Sequence, residues 1–229
     1  MGKRQLLSIV IPTLDAAAEL AVTLEALAPV AGLKQEAVVA DGGSADGTVA
    51  LAERLGARIV AAPSGRGSQL AAGAASANGD WLLFLHADTR LAPGWQAEVV
   101  TFIEDPKNAG RAGVFRFALD DEAAPARRLE RIAGWRGRRL GLPYGDQGLL
   151  IARAFYDALG GYRPLPIMED VALVRRIGRH RLVWFETAAV TSARRYRKDG
   201  YLLRPARNLL CLALYFLGLP PRLIARLYA

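Results

Sequence analysis

Short apolar runs alternate with segments of helical period through the first half of the chain. LLSIVI (6–11) reads as a buried strand. Residues 16–28, AAAELAVTLEALA, carry apolar side chains at helical spacing. AVVAD (37–41) predicts a second strand that ends on a carboxylate and the turn residues GGSADGT. TVALAERLG (48–56) predicts a helix closed by Gly56. ARIVAA (57–62) predicts a third strand, 68–77 a small-residue helix, and WLLFLHAD (81–88) a fourth strand ending on a second carboxylate. This alternation predicts an α/β fold with a mainly parallel central sheet flanked by helices. Ligands of such sheets gather at the carboxyl ends of the strands. Pro12-Thr13, Asp41 and Asp88 fall there.

The pattern changes after residue 105. RAGVFRFALD (111–120) predicts a strand, and 124–141 a basic helix broken near its glycines. QGLLIAR (147–153) predicts a strand, MEDVALVRRIG (168–178) a helix opened by two carboxylates, and LVWFET (182–187) a last strand. The segment 200–229 predicts a helical, apolar and Arg-studded tail with a break at Gly218–Pro221. The expected organisation is one domain over 1–199, with a nucleotide-binding half (1–105) and an acceptor half (106–199), followed by the tail.

Charge sharpens this division. Of 229 residues, 1–110 carry a balance of −4 and 111–229 a balance of +12, giving a net charge of +8. Twenty-six of the 30 basic residues are arginine, whose planar fork suits phosphate and carboxylate. The basic half could face a phosphorylated substrate, an anionic membrane or a nucleic acid. A single cysteine, Cys211 in LLCLALYF, excludes an internal disulfide framework and reads as a small apolar side chain. With two histidines, His86 and His180, a His-rich metal centre is not expected. The opening MGKRQLLSIVIPTLD reads as a first strand, not a cleaved leader. The longest apolar run, Leu209–Leu219, is about half the length a spanning helix needs. With Arg204, Arg207, Arg222 and Arg226 beside it, the tail suits a core-packing helix, a homodimer contact or an interfacial anchor. The expected location is cytoplasmic, free or peripheral on the inner face of the cell membrane.

Four pieces carry chemistry in a fixed order: SIVIPTLD (8–15), VVADGGSADGT (38–48), FLHADT (84–89) and MEDVAL (168–173). Together they resemble glycosyltransferase family 2, whose members have the GT-A nucleotide-sugar fold, over about residues 6–190. FLHADT, YGDQG and the RRY…G…R…N pattern of the tail resemble a bacterial branch, transferase 2 of radical-SAM and selenium-domain gene neighbourhoods. Some members of that branch are labelled arsenosugar-biosynthesis glycosyltransferases.

The resemblance implies roles residue by residue. Pro12, Thr13, Leu14 and Asp15 would meet the base of a UDP- or GDP-linked sugar donor, and Asp41 its uracil or ribose. The usual Asp-Asp-Gly-Ser stands here as Ala40-Asp41-Gly42-Gly43-Ser44. Arg66, in the glycine-flanked SGRGSQ, would approach the donor phosphates, where glycines admit backbone amides. His86-Ala87-Asp88 occupies the place of the Asp-X-Asp motif, so Asp88 is the expected metal residue for Mg²⁺ or Mn²⁺. His86 replaces the first carboxylate and adds a neutral imidazole instead of a negative charge. Asp170 is the expected catalytic base of an inverting transfer, with Glu169 orienting it or raising its pKa. Arg194 and Arg195 lie where processive relatives contact phosphate, although the Gln and Trp of that motif are absent. From their own chemistry, Asp146 and Gln147 suit an acceptor's hydroxyls. The expected acceptor is a small molecule or a lipid phosphate.

Two other classes compete. A nucleotidyltransferase would place a glycine-rich basic loop directly after the first strand, where PTLDAAAEL stands instead. A non-catalytic membrane- or nucleic-acid-binding protein would explain the basic half but not carboxylates at successive strand ends, which argues against a nucleic-acid partner.

Overall fold

The computed structural model describes residues 5–28 and 32–228; the basic start, Gly2 to Arg4, lies outside the described residues. One mixed sheet of eight strands forms the frame: β1 (Leu6–Thr13), β2 (Lys34–Asp41), β3 (Arg58–Ala61), β4 (Trp81–Phe84), β5 (Thr89–Leu91), β6 (Ala112–Leu119), β7 (Leu149–Ala152) and β8 (Leu182–Thr191). Their order across the sheet is β3-β2-β1-β4-β7-β6-β8-β5. The first four are mutually parallel, as the alternation predicts. The second half brings antiparallel pairings of β7 with β4 and β6, and of β5 with β8.

Side chains alternate along β1 and feed two cores. Leu7, Ile9 and Ile11 pack with Leu20, Trp95, Val99 and Phe102, under α1 (Ala17–Glu25) and α4 (Trp95–Glu104). Val10 faces the opposite layer with Leu70, Phe84, Tyr162 and Leu173, under α3 (Arg66–Ser76) and α7 (Glu169–Ile177). Burial on both faces explains why these strands read as continuous apolar runs.

Two sequence expectations change. The fourth strand ends at Phe84, not Asp88. Leu85 N still donates to Val10 O at 3.1 Å, but the chain then turns, with Thr89 N donating to His86 O at 3.2 Å, and enters β5 at the far edge. The motif His86-Ala87-Asp88 therefore lies on a turn beyond the sheet. The basic helix α5 (Ala124–Leu140) is unbroken at its glycines and ends at Gly141, which takes the left-handed conformation with φ 65°. Gly137 instead admits the Trp184 ring; a Cβ there would lie 2.6 Å from it.

The tail is α9 (Leu203–Phe216) and α10 (Pro221–Tyr228), broken between them as expected. Cys211, Leu212 and Ile224 bury against Leu142, Ile167, Met168 and Val171. One face of the tail thus packs on the domain, and Cys211 is the small apolar side chain its context predicts. No helix of the described residues is long and apolar enough to cross a membrane.

Candidate active site

The in-register pairing of β1 with β2 sets Thr13 opposite Asp41. Thr13 Oγ1 donates to Asp41 Oδ1 at 2.9 Å, and the Ser44 hydroxyl donates to the same oxygen. Asp41 Oδ2 accepts from the amides of Gly43 and Ser44, each at 2.9 Å. Burial alone would raise the pKa of Asp41, but these hydrogen bonds together hold it below the ordinary carboxylate value. Asp41 therefore shapes the loop that follows it. Asp15, at φ 48°, joins the same loop by accepting from Ala45 N at 2.8 Å. Leu14 stays half exposed beside them.

A cleft of about 760 Å³, open to solvent, lies beyond the strand ends. It gathers Arg66, His86, Asp88, Asp146, Asp170 and Arg195, which come from five separate stretches of sequence. Arg66 starts α3, and its Nε lies 3.0 Å from Glu169 Oε1. Gly67 brings that helix onto the backbone before α7; a Cβ there would lie 2.3 Å from Arg163 O. Met168, at φ 65°, turns the chain so that Glu169 and Asp170 open α7. Asp170 Oδ2 accepts from Gly145 N at 2.8 Å and Oδ1 from Val171 N at 2.7 Å. Each oxygen keeps a second lone pair.

Burial dominates the electrostatics. Glu169, only 1% exposed, is pushed up to about 7 by desolvation, with Arg66 opposing and Asp170 adding to the rise. Its Oε2 is buried and has no hydrogen-bond partner among the described residues. Asp146 is raised to about 6, again chiefly by burial, and its Oδ1 is likewise unpartnered. His86 is lowered to about 4 by burial and by Arg66, so it is neutral at pH 7. Its ring rests on Gly145, where a Cβ would lie 2.5 Å from Nε2.

Asp88 is engaged only lightly, by the Thr89 hydroxyl at 3.4 Å. Ala87 is buried, and its carbonyl accepts from Thr23 at 2.7 Å. Among the described residues, no three His, Cys, Asp or Glu side chains converge on one point. A cation at Asp88 would need oxygen ligands from a substrate to complete its shell.

Two expected residues face elsewhere. The Gln147 amide is consumed by backbone: Nε2 donates to Phe115 O at 3.2 Å and Oε1 accepts from Tyr144 N at 3.3 Å. Gln147 braces the loop that carries Asp146, and does not line the cleft. Arg194 pairs with Glu19 of α1 at 2.8 Å, leaving its neighbour Arg195 to line the cleft. The sequence places Arg204 only on the tail's basic surface and gives neither it nor Asn208 a part in the cleft, yet both come from the tail and complete the wall. Their spacing of four, on a helix, was the available signal, since it sets both on one face.

Comparison with known proteins fits this geometry. The sequence profile described as glycosyl transferase family 2 matches residues 8–159. No curated protein sequence matches the chain. Among solved structures, glucosyl-3-phosphoglycerate synthase from Mycobacterium tuberculosis, in complex with Mn²⁺, UDP and glucosyl-3-phosphoglycerate, is 21% identical with a TM-score of 0.67. The match covers 94% of this chain and 81% of that one. Mannosyl-3-phosphoglycerate synthase from Rubrobacter xylanophilus is 17% identical with a TM-score of 0.62, covering 94% and 76%. The likeness extends the shared fold through the second half of the sheet and into the tail. With about two thirds of its length matched by the profile and a GT-A-like central sheet flanked by helices, the chain belongs to glycosyl transferase family 2 and is a glycosyltransferase.

Proposed function

We propose that this glycosyltransferase moves a sugar from a UDP- or GDP-linked donor to a hydroxyl of a phosphate-bearing acceptor, with inversion at the anomeric carbon. The observation that carries the reading is the single cleft in which Arg66, Asp88 and Asp170 meet. The donor's base would lie on the loops after β1 and β2, formed by Pro12 to Asp15 and shaped by Asp41. Arg66 would face its phosphates. Asp170 lines the cleft with free lone pairs and suits the role of base. It would take the acceptor's hydroxyl proton as the new bond to the anomeric carbon forms. The bond from that carbon to the diphosphate breaks, and its electron pair leaves with the nucleotide. No covalent enzyme intermediate is required.

The donor set fits a divalent cation shared with the substrate. Asp88 and neutral His86 would offer it an oxygen and a nitrogen, and the donor's diphosphate would supply the rest. Bound there, Mg²⁺ or Mn²⁺ supplies neutralisation of the charge that develops on the departing diphosphate. Neighbouring structures solved with Mn²⁺ and UDP-glucose plus glycerol 3-phosphate, and with Mg²⁺ and UDP, support both the cation and the donor class. The narrower bacterial branch is supported by FLHADT, YGDQG and the tail pattern.

Transfer from UDP-glucose and GDP-mannose to glycerol 3-phosphate and 3-phosphoglycerate tests the reading, with the product's anomeric configuration read by NMR. Inverted product, lost in Asp170→Asn while nucleotide still binds, is expected. Retained configuration, or full activity in Asp170→Asn, overturns it.

A lipid phosphate is a second acceptor reading. It is favoured by the exposed Leu202, Leu203, Leu209, Leu210 and Leu217 on and beside α9, with Arg222 and Arg226 following in α10. Flotation with anionic vesicles tests it, and absence of flotation at low salt refutes it. The same face would suit a homodimer, which sedimentation would reveal.

A further inference from the structure

We propose that the tail helix α9 supplies an acceptor subsite, in which Arg204 and Asn208 recognise a phosphate monoester next to the hydroxyl that receives the sugar. This rests on the glycosyl-transfer reading above and gives it a substrate class and residues outside the stretch matched by the family profile.

Asn208 lies in the cleft wall, and its Oδ1 is buried with no hydrogen-bond partner among the described residues. An amide oxygen withdrawn from water without a partner is costly, and native proteins keep such groups chiefly where a ligand or a water completes them. Arg204 sits one helical turn earlier on the same face. It is held in place: its side chain is 10% exposed, its Nη1 lies 2.8 Å from Asp199 Oδ2, and its guanidinium lies over the Tyr196 ring at 5.6 Å. A fixed guanidinium loses little freedom when it binds an anion, and its planar fork matches phosphate oxygens. Arg195 lies in the same wall. Asp146 offers a second buried oxygen, Oδ1, without a partner.

The wall therefore presents guanidinium groups and two unfilled hydrogen-bond acceptors. The complementary molecule carries an anion and hydroxyl donors, as a phosphorylated polyol does. The asparagine amide can accept from its hydroxyl and donate to its phosphate at once. The same chemistry is offered by a small soluble phosphate ester or by a lipid headgroup.

Calorimetric titration of the full chain with glycerol 3-phosphate, beside UDP with Mn²⁺, tests this. Asn208→Leu keeps the side-chain volume and removes both polar groups; Asn208→Asp places a negative charge against the phosphate. Loss of one such hydrogen bond predicts a rise of about tenfold in Kd for glycerol 3-phosphate in Asn208→Leu, and a larger rise in Asn208→Asp. UDP binding is expected to persist in both. The acceptor's KM should rise in parallel, with kcat changed much less. Glycerol should bind far more weakly than its phosphate. Binding of phosphatidylcholine vesicles carrying lysophosphatidic acid, weakened in Asn208→Leu, without binding of soluble glycerol 3-phosphate, supports the subsite and assigns the phosphate to a lipid. Binding of the soluble ester alone supports it as a small-molecule site. Unchanged Kd in both variants, or equal loss of UDP binding, overturns the subsite. Failure of the wild-type chain to bind UDP overturns the glycosyl-transfer reading itself.

Discussion

Glu169 opens α7 beside the proposed base, and burial governs its charge. It is 1% exposed, while Arg66, its ion-pair partner at 3.0 Å, is 40% exposed. Water screens the arginine, so its attraction does not offset the desolvation of the carboxylate. The pKa is raised from 4.5 to about 7. At about 1.4 kcal/mol per pH unit, that corresponds to about 3 kcal/mol of unfolding free energy. The sign follows from proton counting. The folded state binds the proton more tightly than the unfolded chain. The stability contributed by this proton is therefore complete below pH 4.5 and is lost as pH rises through 7. Glu169→Gln keeps the neutral shape at every pH. Urea unfolding of both proteins from pH 5 to 8 should give similar stabilities at pH 5. At pH 8 the variant should be more stable by up to about 3 kcal/mol. Groups common to both, including Asp170 and Tyr162, largely cancel in the difference. Parallel profiles, or a less stable variant at pH 8, would refute the reasoning and show that Glu169 is held as a carboxylate by Arg66.

Three further outcomes follow from named contacts. Gly145→Ala drives a Cβ to 2.5 Å from His86 Nε2, so sugar transfer should drop at least tenfold while circular dichroism shows the fold intact; full activity would contradict the tight seat of the ring. Gly137→Ala meets the Trp184 ring at 2.6 Å, and denaturant unfolding should show a loss of about 1–2 kcal/mol despite the better helix propensity of alanine; a gain in stability would contradict it. Asp41→Asn sets an amide donor against groups that donate, and should cost about 2–3 kcal/mol in the same assay and weaken nucleotide binding; a neutral result would remove Asp41 as the anchor of its loop.

The first half of the fold is legible in the sequence because β1, β4 and the second half of β2 are buried on both faces, and such strands leave apolar runs. The strand-end residues follow from that reading. Positions that depend on tertiary partners are not legible. Nothing local shows that the chain turns after Leu85 to form an edge strand whose partner in β8 lies about a hundred positions further on, Thr89 opposite Thr191 and Leu91 opposite Ala189. Arg194 and Arg195 are adjacent and chemically identical; only Glu19, supplied by α1, draws one of them away from the cleft. Gln147 has the chemistry of a sugar contact, yet Phe115 O and Tyr144 N take its amide first. The tail's apolar run leaves core packing, a dimer contact and a membrane anchor equally open; Cys211 and Leu212 seat one face of it on the domain, and Arg204 and Asn208 then face inward.

The central claim is that the cleft binds a nucleotide sugar through a cation at Asp88. Thermal unfolding with UDP, GDP and their sugar conjugates, with Mn²⁺, with Mg²⁺ and with chelator, tests it most directly. One nucleotide series at a hundredfold over its Kd should raise the midpoint by about 5–10 °C. The shift should require metal and vanish in Asp88→Ala. No shift with any nucleotide, or an equal shift in chelator and in Asp88→Ala, would contradict the account.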